Sequence, residues 1–383
     1  MPDATTVKPS IAYHHPTRAI IDLAAFRHNL DVVRSCIAPG VRIMAVLKAN
    51  AYGHGLRRIS GEAVANGVEY VGVARAYEGV ELRMAGIMSR ILVFEIVPQE
   101  HINTAILQDL ELTVGSLDGA KMLSAAAERL HRKARIHIEV DTGMGRLGFP
   151  SEHAAGDIEA IARLPRIELV GVYSHFATSE QADQAFARQQ LMRFNDVLEG
   201  LRRRRVEVQL RHMANSGAII ALPESHFDIV RPGLLLFGYT PRKGMPVPQA
   251  LQPALSLVSK VVFLKTVGPG TTISYGKRFT TTTKTAVATV PVGYGDGYVR
   301  QLTGKADVLI RGKRCPIIGA ITMDQIMIDV GLENGVTEGD DVTLIGKDAD
   351  ETITCWELAE KAGTIPYEIT CLITPRVPRV FIR

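Results

Sequence analysis

The chain lacks the features of secreted, membrane-spanning and metal-binding proteins. It has only four cysteines in 383 residues, with no C-x-x-C pair and no histidines at metal-ligand spacing, so we expect buried thiols in a reducing cytoplasm and no metal site. The first 17 residues contain no apolar core of signal-peptide length, and no apolar run approaches the ~18 residues of a membrane helix. These absences predict a cytoplasmic protein that does not enter a membrane.

Concentrated charge is also missing. The net charge is +4, and lysine and arginine are scattered among acidic residues, which argues against nucleic acid as a partner. The one dense basic run, residues 202–205, follows an amphipathic segment at 184–201, and we interpret it as the solvated end of a helix. A chain of this length with 46% hydrophobic residues has room for a barrel of ~250 residues and an added domain.

Short β-branched runs alternate with helical patterns over the first two thirds of the chain. A strand at 18–22 is followed by a helix at 23–35, whose apolar residues recur at helical spacing. Eight further strands are predicted at 41–47, 70–73, 91–94, 112–114, 135–140, 168–173, 208–211, and either 229 or 235–237. Repeated βα units of this number predict a TIM-type (β/α)8 barrel, an α/β fold.

The residue composition of the chain changes near Thr240, where a proline- and glycine-rich linker begins. Beyond it, helical periodicity nearly vanishes until residues 356–361, and strands are predicted at 255–266, 285–291, 307–310 and 341–345. We therefore predict a loose N-terminus at 1–17, a barrel at 18–248 and a mainly β C-terminal domain at 249–383. The strand at 18–22 is also able to pair with the β domain.

One lysine, Lys48, stands at the carboxyl end of the first predicted barrel strand, in the string VLKANAYGHG at 46–55. The carboxyl ends of barrel strands carry the chemistry of such folds, and a lysine amine in a partly desolvated pocket can form a Schiff base. A lone strand-end lysine is more often simply solvated. Gly53 and Gly55 supply a flexible backbone before the helical pattern at 56–65.

Other polar residues follow later strands. Arg146 lies in the glycine-rich string EVDTGMGRLG at 139–148 and offers a planar fork suited to a carboxylate or phenolic oxygen. His175 follows the sixth strand, although a lone histidine is more often a satisfied core residue. Ser216 and the N–H groups after it, at a helix start, suit a phosphate, and the string RPGL at 231–234 offers another strand-end arginine and glycine turn.

These strings, in this order, resemble the alanine racemase family over nearly the whole chain from about residue 18. The resemblance implies a pyridoxal 5'-phosphate enzyme that interconverts L-alanine and D-alanine, with Lys48 and Tyr275 as the catalytic residues on opposite faces of Cα. By the same resemblance Lys48 acts on the D-alanine proton and Tyr275 on the L-alanine proton. The implied cofactor-binding residues are Lys48, Tyr52, His175, Asn215, Ser216, Arg231, Gly233, Leu234 and Tyr367, and the implied substrate-binding residues are Arg146, Tyr294, Met323 and Asp324.

The resemblance also implies a homodimer, in which Tyr275 and Met323 act on the active site of the partner subunit. Arg231 is implied to face the pyridine nitrogen of the cofactor, and an arginine with a pKa above ~12 does not give that nitrogen a proton. One position departs from the family, whose members often carry a carbamylated lysine two residues before the aspartate of the glycine-rich string. Here that residue is Glu139, which has a shorter stem, so the way Arg146 is held is open.

Three alternatives stay open. A racemase of broader specificity differs by little, because a hydrophobic pocket discriminates one methylene by only ~1–3 kcal/mol. A related decarboxylase would use the same lysine, but we expect a cysteine-bearing motif and a roomier pocket where Tyr275 stands. A non-catalytic pyridoxal-phosphate carrier would be a barrel alone, which the residues after Pro248 argue against. The function we prefer is the interconversion of L-alanine and D-alanine, which supplies D-alanine for peptidoglycan.

Overall fold

The computed structural model describes residues 15–383, so most of the predicted loose start lies outside the described residues. The chain divides into two compact units, residues 22–254 and residues 255–382 together with the stretch before Asp22. That stretch includes the first strand, β1 (Arg18–Asp22). Thr17 is fully buried, and its Oγ1 lies 2.7 Å from Oγ of Ser259. The chain is therefore already ordered just before β1, within the part that we predicted to be loose.

The first unit is built on parallel strands that join edge to edge in the order β10-β2-β3-β4-β5-β6-β8-β9, with the short β7 beside β6. These strands are β2 (Arg42–Val46), β3 (Tyr70–Val73), β4 (Arg90–Val93), β5 (Glu111–Val114), β6 (Ala134–Asp141), β7 (Phe149–Pro150), β8 (Ile167–Tyr173), β9 (Leu210–His212) and β10 (Ile229–Val230). A parallel bridge between Asn215 and Arg231 lies between the segments that follow β9 and β10. The result is a nearly closed barrel of eight parallel strands, which confirms the predicted TIM-type fold.

Helices connect the barrel strands, as right-handed βα crossovers require. They are α1 (Leu23–Ser35), α3 (Leu56–Ala65), α4 (Ala76–Met84), α5 (Ile102–Leu107), α6 (Leu117–Arg129), α7 (Ala154–Ala162), α8 (Ala185–Arg203) and α9 (Ser216–Ala221), while α2 (Lys48–Tyr52) is a short turn with left-handed backbone angles. Asp22 caps α1 by accepting from the N–H groups of Ala24 and Ala25. The predicted helices at 23–35 and 56–65 have the bounds of α1 and α3.

The last barrel strand resolves an ambiguity of the sequence. It is formed by Ile229 and Val230, while the alternative at 235–237 is wrong because Leu234–Phe237 form a 3₁₀ helix. Apolar side chains from six strands meet inside the barrel, namely Met44, Tyr70, Leu92, Val170, Leu210 and Ile229. This packed layer closes the barrel interior below the ends where the site residues lie.

The second unit is mainly antiparallel sheet. Its strands are β1, β11 (Leu255–Lys260), β12 (Phe263–Val267), β13 (Thr272–Ile273), β14 (Phe279–Thr280), β15 (Thr285–Val290), β16 (Asp307–Ile310), β17 (Lys313–Ile318), β18 (Ile326–Asp329), β19 (Asp341–Asp348), β20 (Glu351–Ile353) and β21 (Arg379–Ile382). They form a sheet of order β12-β15-β18-β17-β16-β19-β11-β1-β21, with β20 beside β19 and a separate β13-β14 pair. Helices α10 (Cys355–Ala362) and α11 (Pro366–Cys371) lie in the same unit.

Two expectations need correction, one for a strand of this unit and one for the cysteines of the whole chain. The single strand predicted at 255–266 is broken, because β11 pairs with β1 and β19 whereas β12 pairs with β15. The cysteines were expected to be buried, but only Cys315 and Cys355 are, while Cys36 is half-buried and Cys371 is exposed. Among the residues that the structure describes, no helix has the length and apolar character needed to cross a membrane.

Candidate active site

Lys48 lies two residues after the end of β2 and opens an unusual turn. The next four residues, 49–52, all have left-handed backbone conformations, with φ of 54°, 56°, 53° and 52°. None is glycine, and each L-residue in this region costs roughly 1–2 kcal/mol. The turn is closed by backbone hydrogen bonds from Ala51 N–H to the Leu47 carbonyl (2.8 Å) and from Gly53 N–H to the Ala49 carbonyl (3.0 Å). A strained backbone held this firmly beside a strand-end lysine is typical of functional sites.

The far end of the turn brings Tyr52 against Gly233. A Cβ on Gly233 would lie 2.5 Å from the Tyr52 hydroxyl oxygen, so only glycine leaves room for that hydroxyl. The Tyr52 ring packs against Phe237, with ring centroids 5.1 Å apart. Ser216 lies at the same corner, where its Oγ accepts from the Gly233 N–H at 3.0 Å. The hydroxyls of Tyr52 and Ser216 are thereby gathered beside the glycine turn that precedes Leu234.

The helix start after β9 differs from our expectation in one respect. Asn215 caps α9, because its Oδ1 accepts from the N–H groups of Gly217 and Ala218, both at 3.1 Å, and from Ser179 Oγ at 2.6 Å. The two amides that were expected to suit a phosphate are therefore occupied by the cap. The Ser216 hydroxyl already accepts from backbone N–H, which leaves its own proton to donate.

Arg231, after β10, is deeply buried, with 3% of its surface exposed. Its Nη2 donates to the carbonyls of Ser174 (2.7 Å) and Met213 (3.1 Å), and its Nη1 donates to Nδ1 of His212 (2.7 Å). Burial lowers the pKa of Arg231 to about 10, below the value above ~12 that we assumed from sequence. The guanidinium still keeps its proton at neutral pH, so it remains a donor only.

That donor fixes the direction of a hydrogen-bond chain through the barrel. Because His212 Nδ1 accepts from Arg231, its Nε2 carries the proton and donates to Nδ1 of His137 at 2.9 Å. His137 Nε2 then donates to Oε2 of Glu111 at 2.6 Å, and Arg90 pairs with the other oxygen of that carboxylate. The hydrogen of each imidazole is thus assigned by the donor at one end and the acceptor at the other.

His175 lies beside the same arginine, with its Nδ1 3.3 Å from Arg231 Nη2. Burial lowers its pKa well below the ordinary value, and the charges of Arg231, Arg146 and Lys48 lower it further. His175 is therefore neutral at physiological pH. Its backbone carbonyl accepts from the Gln190 side chain at 3.0 Å, which holds the segment after β8 in place.

The glycine-rich loop after β6 is organised by Asp141, whose Oδ1 accepts from the N–H groups of Gly143 (2.8 Å) and Gly145 (3.1 Å). Gly148 has φ of 108°, and a Cβ there would lie 2.7 Å from the Glu139 carbonyl oxygen. Only glycine therefore permits the chain to return past β6. The loop presents Arg146 with its side chain about half exposed.

Glu139, at the position that departs from the family pattern, is buried with 3% exposure. One carboxylate oxygen accepts from the Tyr173 hydroxyl at 2.9 Å, and the other lies 3.8 Å from Arg146 Nη2. The Tyr173 ring stacks on His212 and also makes a cation–π contact with Arg231, whose Cζ lies 5.3 Å from the ring centroid. Burial raises the pKa of Glu139, although the Tyr173 hydrogen bond and the Arg146 and Arg231 charges act the other way.

The second unit carries the remaining sequence-predicted residues. Tyr275 lies in a tight turn, Tyr275–Lys277, and is 75% exposed. The residue before it, Ser274, has φ of 63° and its Oγ donates to the Ala320 carbonyl at 2.8 Å. The tyrosine is thus displayed on a fixed backbone rather than on a loose loop.

Tyr294 and Met323 are brought together in this unit, because the N–H of Tyr294 donates to the Thr322 carbonyl at 3.0 Å and that of Gly295 to the Met323 carbonyl at 2.9 Å. Asp324, expected to contact substrate, is paired with Arg376 at 2.7 Å. Tyr367 is half-buried in the first turn of α11.

Sequence reasoning missed the partners that hold these groups. Glu78, Glu111, His137 and Gln190 were not singled out, although Glu111 and His137 are buried ionisable residues within barrel strands. A charged or imidazole side chain in such a strand is the signal that could have found them, since buried polar groups require partners.

The fold and these groups define a class of protein, a (β/α)8 barrel with a lysine at a strand end and a buried arginine that can only donate, followed by a β unit.

The family models for the alanine racemase N-terminal domain and C-terminal domain match residues 21–241 and 254–381. Alanine racemase 2 of Caldanaerobacter subterraneus subsp. tengcongensis is 41% identical, over 96% of this chain and 95% of its own. A solved alanine racemase from Clostridium difficile superposes with a TM-score of 0.93 at 35% identity, covering 97% and 96% of the two chains. A histidine racemase from Leuconostoc mesenteroides gives 0.89 at 29%, covering 97% and 99%. The chain belongs to the alanine racemase family.

Proposed function

We propose that this chain interconverts L-alanine and D-alanine with pyridoxal 5'-phosphate as cofactor, and that Lys48 and Tyr275 exchange the Cα proton. The observation that supports this most directly is the left-handed turn that begins after Lys48 and brings the Tyr52 hydroxyl to the Gly233 corner, where Ser216 also lies. Arg231, which can only donate, lies 3.3 Å from His175, and the charges of Arg146 and Lys48 also act on that imidazole.

The residues present fit the cofactor. The hydroxyls of Tyr52 and Ser216 at the Gly233 corner are donors suited to a phosphate, and Leu234 continues that corner. We assign Tyr367 to the same phosphate by resemblance, and Asn215 the role of holding Ser216 rather than of binding phosphate through its oxygen. When bound, pyridoxal phosphate supplies the electron-accepting ring that stabilises the negative charge left on Cα.

Arg231 would limit how strongly the cofactor ring accepts electrons. Its guanidinium would donate a hydrogen bond to the ring nitrogen of the bound cofactor and would keep its own proton, so the ring would withdraw electrons less strongly. His175, which lies beside Arg231, is neutral and adds no positive charge. This arrangement favours quick return of the proton to Cα, which racemisation needs.

Arg146 suits the substrate carboxylate, because its planar fork binds two oxygens at once and Glu139 restrains it. Two proton-transfer groups must then stand on opposite faces of Cα. We propose Lys48 for the face of the D-alanine proton and Tyr275 for the other, with Tyr294, Met323 and Asp324 bordering the substrate. The Arg376 pair makes Asp324 a support of that border more than a direct ligand.

We propose that the active form is a homodimer in which Tyr275 and Met323 serve the partner's barrel. A tyrosine that is 75% exposed on a fixed turn is available to a second chain. Lys48→Ala and Tyr275→Phe should each lose racemisation, the latter by at least ~10²-fold, and mixing them with subunit exchange should restore activity. Tyr77→Phe, an exposed tyrosine on α4, is the control and should keep full activity.

The measurement is deuterium incorporation at Cα and formation of the opposite enantiomer, started from each enantiomer in deuterium oxide. Tyr275→Phe should still exchange the D-alanine proton through Lys48. Equal loss of exchange from both enantiomers, with cofactor bound, would contradict the two-group assignment. Mixed variants that stay inactive would place each site within one chain, and carbon dioxide release would indicate the decarboxylase.

A broader substrate range is the second candidate, favoured by the likeness to a histidine racemase at 29% identity. Specificity constants for alanine, serine, lysine and histidine decide it, and we expect alanine to lead. We also propose that the product supplies peptidoglycan from the cytoplasm. Deleting the gene should then make growth depend on added D-alanine.

A further inference from the structure

A buried carboxylate holds the turn that follows Lys48. Glu78, in the first turn of α4, is 3% exposed and accepts three backbone N–H groups. Its Oε1 accepts from Ala49 at 2.7 Å, and its Oε2 accepts from Ala74 at 2.9 Å and Arg75 at 3.0 Å. One side chain thereby joins the start of α4 to the residue next to Lys48.

Ala49 is the point at which the chain enters the left-handed conformation. Its φ is 54°, and its N–H donates outside the turn, to Glu78. The next residue is held separately, since Asn50 Oδ1 accepts from Leu56 N–H, at the start of α3, at 2.8 Å. The carboxylate therefore fastens the entry of the turn, where the strain begins, to the rigid end of β3.

The turn sets the spacing between Lys48 at its start and Tyr52 at its end, whose hydroxyl lies in the Gly233 corner. Four successive left-handed residues tend to relax towards negative φ unless hydrogen bonds to other parts of the chain hold them. Such relaxation would turn Lys48 relative to Tyr52 and misplace the amine.

We propose that Glu78 is a positioning residue for Lys48, which it serves by holding the left-handed turn at Ala49. This inference rests on the proposed role of Lys48 as the reactive amine. It assigns to Glu78 an effect on turnover and on the turn's order that a residue serving only as a helix cap would not have.

The chain offers a matched control for the cap. Glu95 also binds the start of α4, because it accepts from Ala76 N–H at 2.9 Å and pairs with Arg75 at 3.0 Å. Neither of these bonds involves the turn at 49–52. If Glu78 acted only as a cap, Glu78→Gln and Glu95→Gln would have the same consequences.

The experiment compares full-length Glu78→Gln, Glu95→Gln, Ala49→Gly and the Glu78→Gln/Ala49→Gly double variant. A glutamine keeps one oxygen, so its NH₂ group must oppose either the Ala49 N–H or the N–H pair of Ala74 and Arg75. Amide hydrogen exchange over residues 47–56, followed by mass spectrometry, reports the turn independently of catalysis. Alanine racemisation gives kcat and KM separately.

For Glu78→Gln we expect exchange at 49–53 to accelerate and kcat to fall, each about 10- to 100-fold, with KM for alanine changed less than about twofold. Glu95→Gln should leave both near wild type. Glycine tolerates the left-handed conformation, so adding Ala49→Gly to Glu78→Gln should recover about fivefold of the lost kcat.

Equal exchange and equal kcat in Glu78→Gln and Glu95→Gln would overturn the inference, as would a kcat loss that Ala49→Gly does not relieve. If Glu78→Gln does not fold, Glu78→Asp takes its place, since a stem shorter by one carbon cannot reach Ala49 and the α4 amides together. Lys48→Ala is measured alongside: if it keeps activity, the proposed function fails, whereas an inactive Lys48→Ala with unaffected Glu78 variants refutes the role of Glu78 alone.

Discussion

Replacing Glu139 by glutamine separates the charge of this residue from its shape. The amide keeps an oxygen that can accept from the Tyr173 hydroxyl, now 2.9 Å from the carboxylate, but it removes the negative charge 3.8 Å from Arg146. If that charge restrains Arg146 for substrate binding, Glu139→Gln should raise KM for alanine more than it lowers kcat, the signature of lost uniform binding.

The size of the effect follows from the distance and the exposure. Opposite unit charges 3.8 Å apart attract by about 4 kcal/mol at an effective dielectric constant of ~20. The Arg146 side chain is about half exposed, however, and solvent reduces such pairs to roughly 1 kcal/mol or less. We therefore expect KM to rise about two- to fivefold and kcat to change by less than about twofold.

Glu139→Gln should weaken substrate binding but increase the stability of the fold at neutral pH. Burial raises the pKa of Glu139, so the folded chain binds this proton more tightly than the unfolded chain, and its stability falls as pH rises from the unfolded pKa of ~4.3 to the folded pKa. At pH 7 the ionised group therefore costs stability, which glutamine avoids. Glu139→Gln should melt at a higher temperature than wild type at pH 7, and this gain should disappear below about pH 4.

The assays are initial rates with L-alanine over a range of concentrations and thermal unfolding between pH 4 and 8. Glu159→Gln, which removes the carboxylate that Arg163 and Arg204 share, is the control and should leave KM unchanged. A Glu139→Gln enzyme with wild-type KM would mean that another group orients Arg146. A lower melting temperature at pH 7 would contradict the argument from the raised pKa.

Three further substitutions test other parts of the barrel. Gly233→Ala should weaken pyridoxal-phosphate binding about tenfold in equilibrium dialysis, because the new methyl would lie 2.5 Å from the Tyr52 hydroxyl oxygen. Gly61→Ala, in α3 with open space around it, should instead raise the free energy of unfolding by about 0.5–1 kcal/mol. His137→Leu should lower the free energy of unfolding in urea by about 1–3 kcal/mol, because it leaves Glu111 buried without its imidazole donor; an unchanged midpoint would show that the chain of imidazoles contributes nothing to stability.

The elements that sequence predicted well are those whose pattern is set locally. The helix at 23–35 and the strand at 70–73 have the predicted bounds, because an apolar stripe or a short β-branched run between breakers defines them. The strand predicted at 255–266 failed because its two halves pair with different neighbours. That choice depends on residues far away in the chain, which no local pattern records.

The site divides in the same way. Strand-end reasoning placed Lys48, Arg146, His175 and Arg231 at one end of the barrel, since parallel strands gather their carboxyl ends there. The backbone after Lys48 was not predictable, because alanine and tyrosine carry no preference for left-handed conformations. What holds that backbone is Glu78, 29 residues further along the chain from Ala49, so the strain and its support are visible only together.

Arg231 keeps its charge although it is buried, and the interior chain of imidazoles fixes the direction of the hydrogen bonds that begin at it. Desolvation disfavours the guanidinium of Arg231, yet its pKa falls only to about 10. The charges of Tyr173 and Glu139 oppose the desolvation, and hydrogen bonds run from Arg231 through His212 and His137 to Glu111. Since Arg231 can only donate and Glu111 can only accept, neither imidazole can reverse its direction without breaking a buried hydrogen bond. The arginine is thereby held as a donor that does not release its proton, which is the property that the proposed racemisation requires of it.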